Sequence, residues 1–141
     1  MATIITAKDV QKDWGGNLAL KDVTVEVTGG ITGLLGANGA GKTTLMGMLL
    51  GFHAPTAGSL TVMGLDPQRD GSELRANVGY SPEHLTLPDQ MQAYEFVHHL
   101  ARVRGIPKAD ARTRASDALF LVGLGEERNR ALGTMGTGQK Q

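Results

Sequence analysis

Gly36-Ala37-Asn38-Gly39-Ala40-Gly41-Lys42-Thr43-Thr44 fits the pattern G-x-x-x-x-G-K-[ST] of a phosphate-binding loop. Gly36, Gly39 and Gly41 allow backbone angles that other residues resist, so successive N–H groups can converge on one anion. A loop that opens a helix adds the partial positive charge of the helix N-terminus. Lys42 supplies a point charge for the β- and γ-phosphates, and the Thr43 hydroxyl suits Mg²⁺. Thr44 is placed for the α-phosphate, and Asn38 and Ala40 complete the cradle. The chemistry is the binding of a nucleoside triphosphate with Mg²⁺. The competing reading is a glycine-rich turn with a chance lysine.

Such a loop needs a strand before it and a helix after it. The apolar run Gly30-Ile31-Thr32-Gly33-Leu34-Leu35 predicts the strand, and Leu45-Met46-Gly47-Met48-Leu49-Leu50 predicts the helix. Residues 3–7 and 20–27 read as strands, the second with Val23, Val25 and Val27 alternating against polar neighbours. Gly15-Gly16-Asn17 turns the chain between them. A turn cluster at 54–58 precedes an alternating strand at 59–63, closed by Gly64, and a further short strand is expected at 77–81. The pattern then becomes helical. Asp89-Gln90-Met91-Gln92 resembles a capped start, followed by Tyr94, Val97, Leu100 and Ala101. Gly105-Ile106-Pro107 breaks that helix. A second presents Ala111, Ala115, Ala118, Leu119 and Val122 on one face and stops at Gly123 and Gly125.

The 141 residues suffice for one ordinary domain. With 14 basic and 14 acidic residues the formal charge is +0, which gives no electrostatic case for a nucleic-acid partner. The absence of cysteine excludes disulfides and thiolate metal sites. Met1 is not followed by the basic and apolar stretches of a signal peptide, and no apolar run approaches the ~18 residues of a membrane span. The four histidines lack metal-binding spacing. His98 and His99, adjacent on a helix, face different ways and read as solvated. Asp66 follows an apolar strand, but Pro67 rather than a second acid comes next, so it reads as a turn residue.

With these features in order, the chain resembles the ATP-binding subunit of ABC transporters over essentially its whole length. Residues 54–66 look like that family's turn and strand after the loop helix. Val78-Gly79-Tyr80-Ser81-Pro82-Glu83 looks like its Q-loop, and Met135-Gly136-Thr137-Gly138-Gln139-Lys140-Gln141 looks like a degenerate form of its Leu-Ser-Gly-Gly-Gln signature. The resemblance implies an α/β fold, the P-loop NTPase fold of ABC type. It has an antiparallel β-subdomain and a helical insertion, with the parallel core sheet incomplete in this chain. Residues 1–84 would form the β-subdomain and phosphate-loop core, 85–134 the helical subdomain, and 135–141 the signature segment.

The resemblance also assigns roles. Trp14 matches the aromatic that stacks on adenine, where the family more often has tyrosine; the alternative is a core or turn tryptophan. Glu83 stands where a glutamine usually reaches Mg²⁺ and the attacking water, and a glutamate oxygen still suits a hard cation; the alternative is a surface acid. Gly136, Thr137, Gly138 and Gln139 would cap the γ-phosphate held by a second subunit, without the family's serine hydroxyl; the alternative is a glycine-rich tail. Lys42 and Glu83 are thus the candidate catalytic residues, Thr43 and Glu83 the candidate metal ligands, and ATP and Mg²⁺ the expected cofactors.

The partners implied are a transmembrane permease subunit and a second nucleotide-binding subunit, with no nucleic acid, at the cytoplasmic face of the cell membrane. Leu85-Thr86-Leu87-Pro88-Asp89 after the Q-loop resembles the exporter-type branch. The family's Walker B strand, catalytic glutamate and switch histidine are expected beyond Gln141. Residues 1–141 are therefore expected to be the N-terminal portion of a longer ATPase subunit, with negligible turnover of their own. Two further readings stay open: an ATP-binding module without hydrolysis, and a soluble ABC-type ATPase acting on ribosomes or repair complexes.

Overall fold

Strand β1 (Thr3–Asp13) runs six residues further than the alternation at its start predicts. The computed structural model describes residues 2–83 and 86–141. Met1 and Leu85, named above, and His84, one of the four histidines, lie outside the described residues. The strand continues because a bulge absorbs the break in its pattern. Asp9 takes φ 47°, and the register with β2 (Leu18–Thr28) slips between Ala7 and Val10. Thr24 Oγ1 secures the bulge by accepting the Asp9 N–H at 2.9 Å and donating to the Asp9 carboxylate at 3.1 Å. Opposite it Gly58 has φ 83°, and any side chain there would overlap the Asp9 carbonyl oxygen.

The β1–β2 hairpin turns as expected, with the Trp14 N–H on Asn17 O at 3.0 Å and the Gly16 N–H on Asp13 Oδ1 at 2.7 Å. Strand β3 (Ala57–Val62) pairs antiparallel with the other edge of β1, giving the order β2-β1-β3. Helix α1 (Lys42–Leu49) covers one face of this sheet. Its Met48 is fully buried among Ala7, Val10, Leu20 and Leu60, with Val23 packed alongside. Val25, on the same predicted face, is exposed, while Val23 and Val27 are partly buried. Removing the Met48 side chain would leave a cavity at the centre of this core. Met48→Ala is expected to destabilise the first unit by about 2–5 kcal/mol, read as a lower urea midpoint at unchanged slope.

Two expected strands are absent among the described residues. Residues 31–35 join no ladder, and Ile31 and Leu35 are almost wholly exposed. An apolar run is a strand only if a neighbour accepts its hydrogen bonds, and the three-stranded sheet does not extend to it. Residues 78–81 are likewise irregular, while Gly71–Asn77 forms helix α2, which the sequence reading missed. Its fully buried Leu74 holds it in place. Arg69 lies 3.2 Å from Asp70 at its start, and that hydrogen bond, with the Asp66 N–H, holds the Asp70 carboxyl below its ordinary range.

The chain divides into two compact units, Met1–Gly79 and Tyr80–Gln141. The second contains α3 (Ala93–Val103), α4 (Lys108–Leu121), a 3₁₀ turn at Leu132–Thr134 and the four-residue α5 (Thr137–Lys140). The cap of α3 is Gln92 rather than Asp89. The Glu95 carboxylate accepts the Gln92 N–H at 3.2 Å, and Arg130 O and Arg128 O accept the N–H groups of Ala93 and Tyr94. Asp89 serves the 3₁₀ turn instead, its carbonyl accepting the Gly133 N–H at 2.9 Å. On α4, Ala111, Ala115 and Leu119 are buried at one-turn spacing, whereas Ala118 and Val122 face solvent. Ala93, Leu119, Leu132 and Met135 form this unit's core. His98 is not solvated: its Nε2 is enclosed without a hydrogen-bond partner among the described residues, under the Tyr94 ring at 6.0 Å. No helix of the described residues is long and apolar enough to cross a membrane.

Candidate functional site

The loop at 36–44 is held by three local devices. Gly39 and Gly41 adopt left-handed φ of 84° and 86°, and Gly41 caps α1. The Ala40 N–H closes a turn on Ala37 O at 3.2 Å. The Lys42 side chain folds back across the loop, its Nζ donating to Gly36 O at 2.7 Å and Ala37 O at 2.8 Å. The first intrahelical bond runs from the Leu45 N–H to Gly41 O at 2.9 Å. The N–H groups of Lys42, Thr43 and Thr44 therefore have no carbonyl within the helix to bond. Thr43 is exposed, and Asn38, Gly39 and Ala40 are exposed beside it.

The loop is anchored to the sheet at Gly41. A methyl group there would stand 2.6 Å from both Ala19 O and Leu20 Cδ2 on β2. The arrangement is a concavity of main chain with one ammonium at its rim, open to solvent. Two partly open cavities lie elsewhere. One of about 320 Å³ in the second unit is lined by Phe96, Val97, Leu132 and the chain at 138–141. One of about 200 Å³ lies under β3, beside Pro67 and Gln68. No phosphate-loop residue lines either.

Trp14 belongs to the same unit as the loop. It sits at the hairpin tip, 47% exposed, which sets aside the reading of a core tryptophan. Sequence reading missed its two neighbours. The His53 ring meets the indole edge-to-face with centroids 4.9 Å apart, and the Lys12 ammonium lies 4.3 Å from the indole centroid. Lys12 falls two positions before Trp14, near the end of β1, beyond the stretch in which the sequence alternates.

Glu83 and the signature residues belong to the second unit. Glu83 is exposed. Met135, where the pattern has leucine, is buried in the core. The Gly136 N–H is taken by Gln139 Oε1 at 3.0 Å, and Gly136 O accepts the N–H groups of Gln139 and Lys140. Gly136 thus occupies the cap position and Gln139 closes it, while Thr137 and Gly138 are exposed. Asp66 is a turn residue, its Oδ1 accepting the Gln68 N–H at 2.8 Å and the Arg69 N–H at 3.3 Å. No cluster of three metal-ligating side chains exists among the described residues. That set still fits Mg²⁺, which keeps several waters and takes one or two protein oxygens beside phosphate. The exposed Thr43 hydroxyl is such an oxygen.

An antiparallel sheet, a glycine loop opening a helix, and a helical unit after it make up the α/β fold of ABC-type P-loop NTPases. Family comparison agrees: the family described as ABC transporter matches residues 20–141, and the chain belongs to it. It is 34% identical over 142 residues to the probable multidrug ABC transporter ATP-binding protein YbhF of Escherichia coli (strain K12), covering 98% of this chain and 24% of that one. It is 35% identical over 133 residues to the methionine import ATP-binding protein MetN 2 of Burkholderia mallei (strain ATCC 23344), covering 90% and 33%. A solved ATP-binding subunit of an ABC transporter superposes with a TM-score of 0.80 at 25% identity, covering 98% of this chain and 58% of that one. The chain thus spans a quarter to a third of these two curated relatives.

Proposed function

We propose that this chain is the nucleotide-binding part of an ABC transporter ATPase subunit, taking Mg·ATP at residues 36–44. The observation that supports it most is the first turn of α1. Three N–H groups without helical partners adjoin an ammonium that bonds to two main-chain carbonyls of the loop. An incoming phosphate offers both kinds of donor a charged acceptor, a stronger partner than a neutral carbonyl. Main-chain amides and Lys42 hold the phosphates, and Thr43 contributes one oxygen to Mg²⁺. Bound Mg²⁺ would neutralise charge between the β- and γ-phosphates. Trp14 is the platform for the base. Glu83 stands in the Q-loop position and would take that position's role toward Mg²⁺ and the attacking water. Gly136, Thr137, Gly138 and Gln139 cap the γ-phosphate of a partnering subunit, a second copy or a paralogue. A transmembrane permease subunit carries the motion across the membrane, which places the ATPase at its cytoplasmic face.

Residues 1–141 carry no Asp-Glu pair closing an apolar strand. We expect them to bind Mg·ATP with negligible single-turnover hydrolysis, and robust turnover would overturn that assignment of roles. Calorimetric titration of the chain with Mg·ATP tests the binding itself. No heat, with no slowing of amide exchange at 36–44, would remove the basis of the reading. The platform role has its own check. Trp14→Ala is expected to weaken Mg·ATP by about tenfold, within the ~1–3 kcal/mol of a base–aromatic stack, and to leave Mg·tripolyphosphate unchanged.

A further inference from the structure

Trp14 stands on a hairpin tip, and neither hydrophobic cluster of the fold includes it. A side chain so placed must be ordered when a base stacks on it, at a cost of about twofold to tenfold in affinity. Here it is already ordered. The His53 imidazole meets it edge-to-face at 4.9 Å and 84°, and the Lys12 ammonium lies 4.3 Å from its centroid.

Both neighbours are themselves fixed. Lys12 Nζ donates to Ala54 O at 2.8 Å. Thr56 binds the strand end twice, its N–H donating to Gln11 O at 2.8 Å and its Oγ1 accepting the Asp13 N–H at 3.0 Å. The His53 carbonyl accepts Gln68 Nε2 at 3.0 Å. The imidazole lies against the backbone of α1 at Gly47, where a methyl group would stand only 2.8 Å from His53 Cδ2. Gly47 lies on the helix whose first turn forms the phosphate cradle. The turn at 53–56 therefore links the end of β1 to that helix through one imidazole.

We infer that His53 is a positioning residue for base recognition: it fixes the indole plane of Trp14 relative to α1 and so sets how far the site prefers a base-bearing triphosphate over a bare one. This rests on Trp14 being the base platform. The interaction is modest in kind, since an edge-to-face aromatic pair is worth about a twofold to tenfold change in an equilibrium. Its consequence is selective, because His53 touches the platform and not the cradle.

The test is made on the full chain of 141 residues, in which Trp14 is the sole tryptophan and its emission reports directly. His53→Gln removes the ring. It is expected to weaken Mg·ATP by about threefold to tenfold, leave Mg·tripolyphosphate unchanged, and shift Trp14 emission to longer wavelength. His53→Phe keeps an edge-on ring without polar atoms and should restore both the preference and the emission. Gly47→Ala approaches from the other side. It strengthens the helix while displacing the imidazole, so it should loosen Trp14 without unfolding anything. Equal weakening of both ligands by His53→Gln, or no change in either with unaltered emission, overturns the proposal and leaves the base platform standing if Trp14→Ala still separates the two ligands. If Trp14→Ala does not separate them, the platform fails and the role of His53 fails with it.

Discussion

Replacing Lys42 with alanine should weaken Mg·ATP binding by about 100-fold or more while leaving the far-ultraviolet circular dichroism unchanged. The magnitude follows from hydrogen bonds to charged groups, each worth about 1.5–3 kcal/mol, because an ammonium between two phosphates makes more than one. Preservation of the fold follows from position. Lys42 is the first residue of α1, where alanine is at least as good a helix former, and among the described residues its side-chain bonds, to Gly36 O and Ala37 O, stay within the loop. The structure adds a second consequence that charge alone does not predict. The ammonium ties Gly36 O and Ala37 O together, so the variant should also open the loop. Amide exchange at Ala40, whose N–H closes the turn on Ala37 O, should accelerate even without nucleotide. Lys42→Arg separates the two effects. It keeps the charge and can still bridge carbonyls, but a planar fork suits the point-charge position poorly, so the empty loop should stay closed while affinity still falls. A Lys42→Ala chain that retained nearly all its affinity would show that the triphosphate is bound elsewhere.

What could be read from the sequence was whatever is local. The spacing from Gly36 to Thr44 specifies a loop whose closing hydrogen bonds run within a few residues, and it appears with Lys42 folded across it. The hairpin at 14–17 and the spacing of Ala111, Ala115 and Leu119 are of the same kind, whereas the cap expected at Asp89 falls at Gln92. What failed depended on partners distant in sequence. Residues 31–35 have the composition of a buried strand and no neighbour in the sheet. Residues 71–77 have a weak apolar pattern, and Leu74 alone decides the matter by finding a buried seat. His98 seemed exposed because helical spacing does not reveal which face a neighbour covers. The surroundings of Trp14 lay between these cases. Lys12 stands only two positions from Trp14, whereas His53 reaches the indole from 39 positions away, across a turn whose path no periodicity encodes.

Gly41→Ala should be the most damaging single-methyl change in the loop, and comparison with Gly39→Ala separates its two causes. Both glycines take left-handed angles, φ 84° at Gly39 and 86° at Gly41, so either alanine meets the same backbone penalty of ~1–2 kcal/mol. Their surroundings differ. A methyl at Gly39 has nothing within 4 Å, whereas one at Gly41 would be 2.6 Å from Ala19 O and from Leu20 Cδ2. The carbonyl cannot retreat cheaply, because Ala19 adjoins Leu20, whose partner in the ladder is Lys12 and whose side chain packs on Met48. Overpacking of that kind adds about 1–3 kcal/mol. Gly39→Ala is therefore expected to cost about 1 kcal/mol and Gly41→Ala about 3 kcal/mol, a difference of roughly 8–16 °C in the midpoint of the first unit. The effect on binding should diverge further. The cap residue of α1 sets the direction of the Lys42, Thr43 and Thr44 N–H groups, so a displaced Gly41 misaims the whole first turn. Calorimetric affinity for Mg·tripolyphosphate, which involves no base, should fall much more for Gly41→Ala than for Gly39→Ala. Equal losses at the two positions would mean that backbone angle alone governs the cradle and that its seat on β2 is incidental.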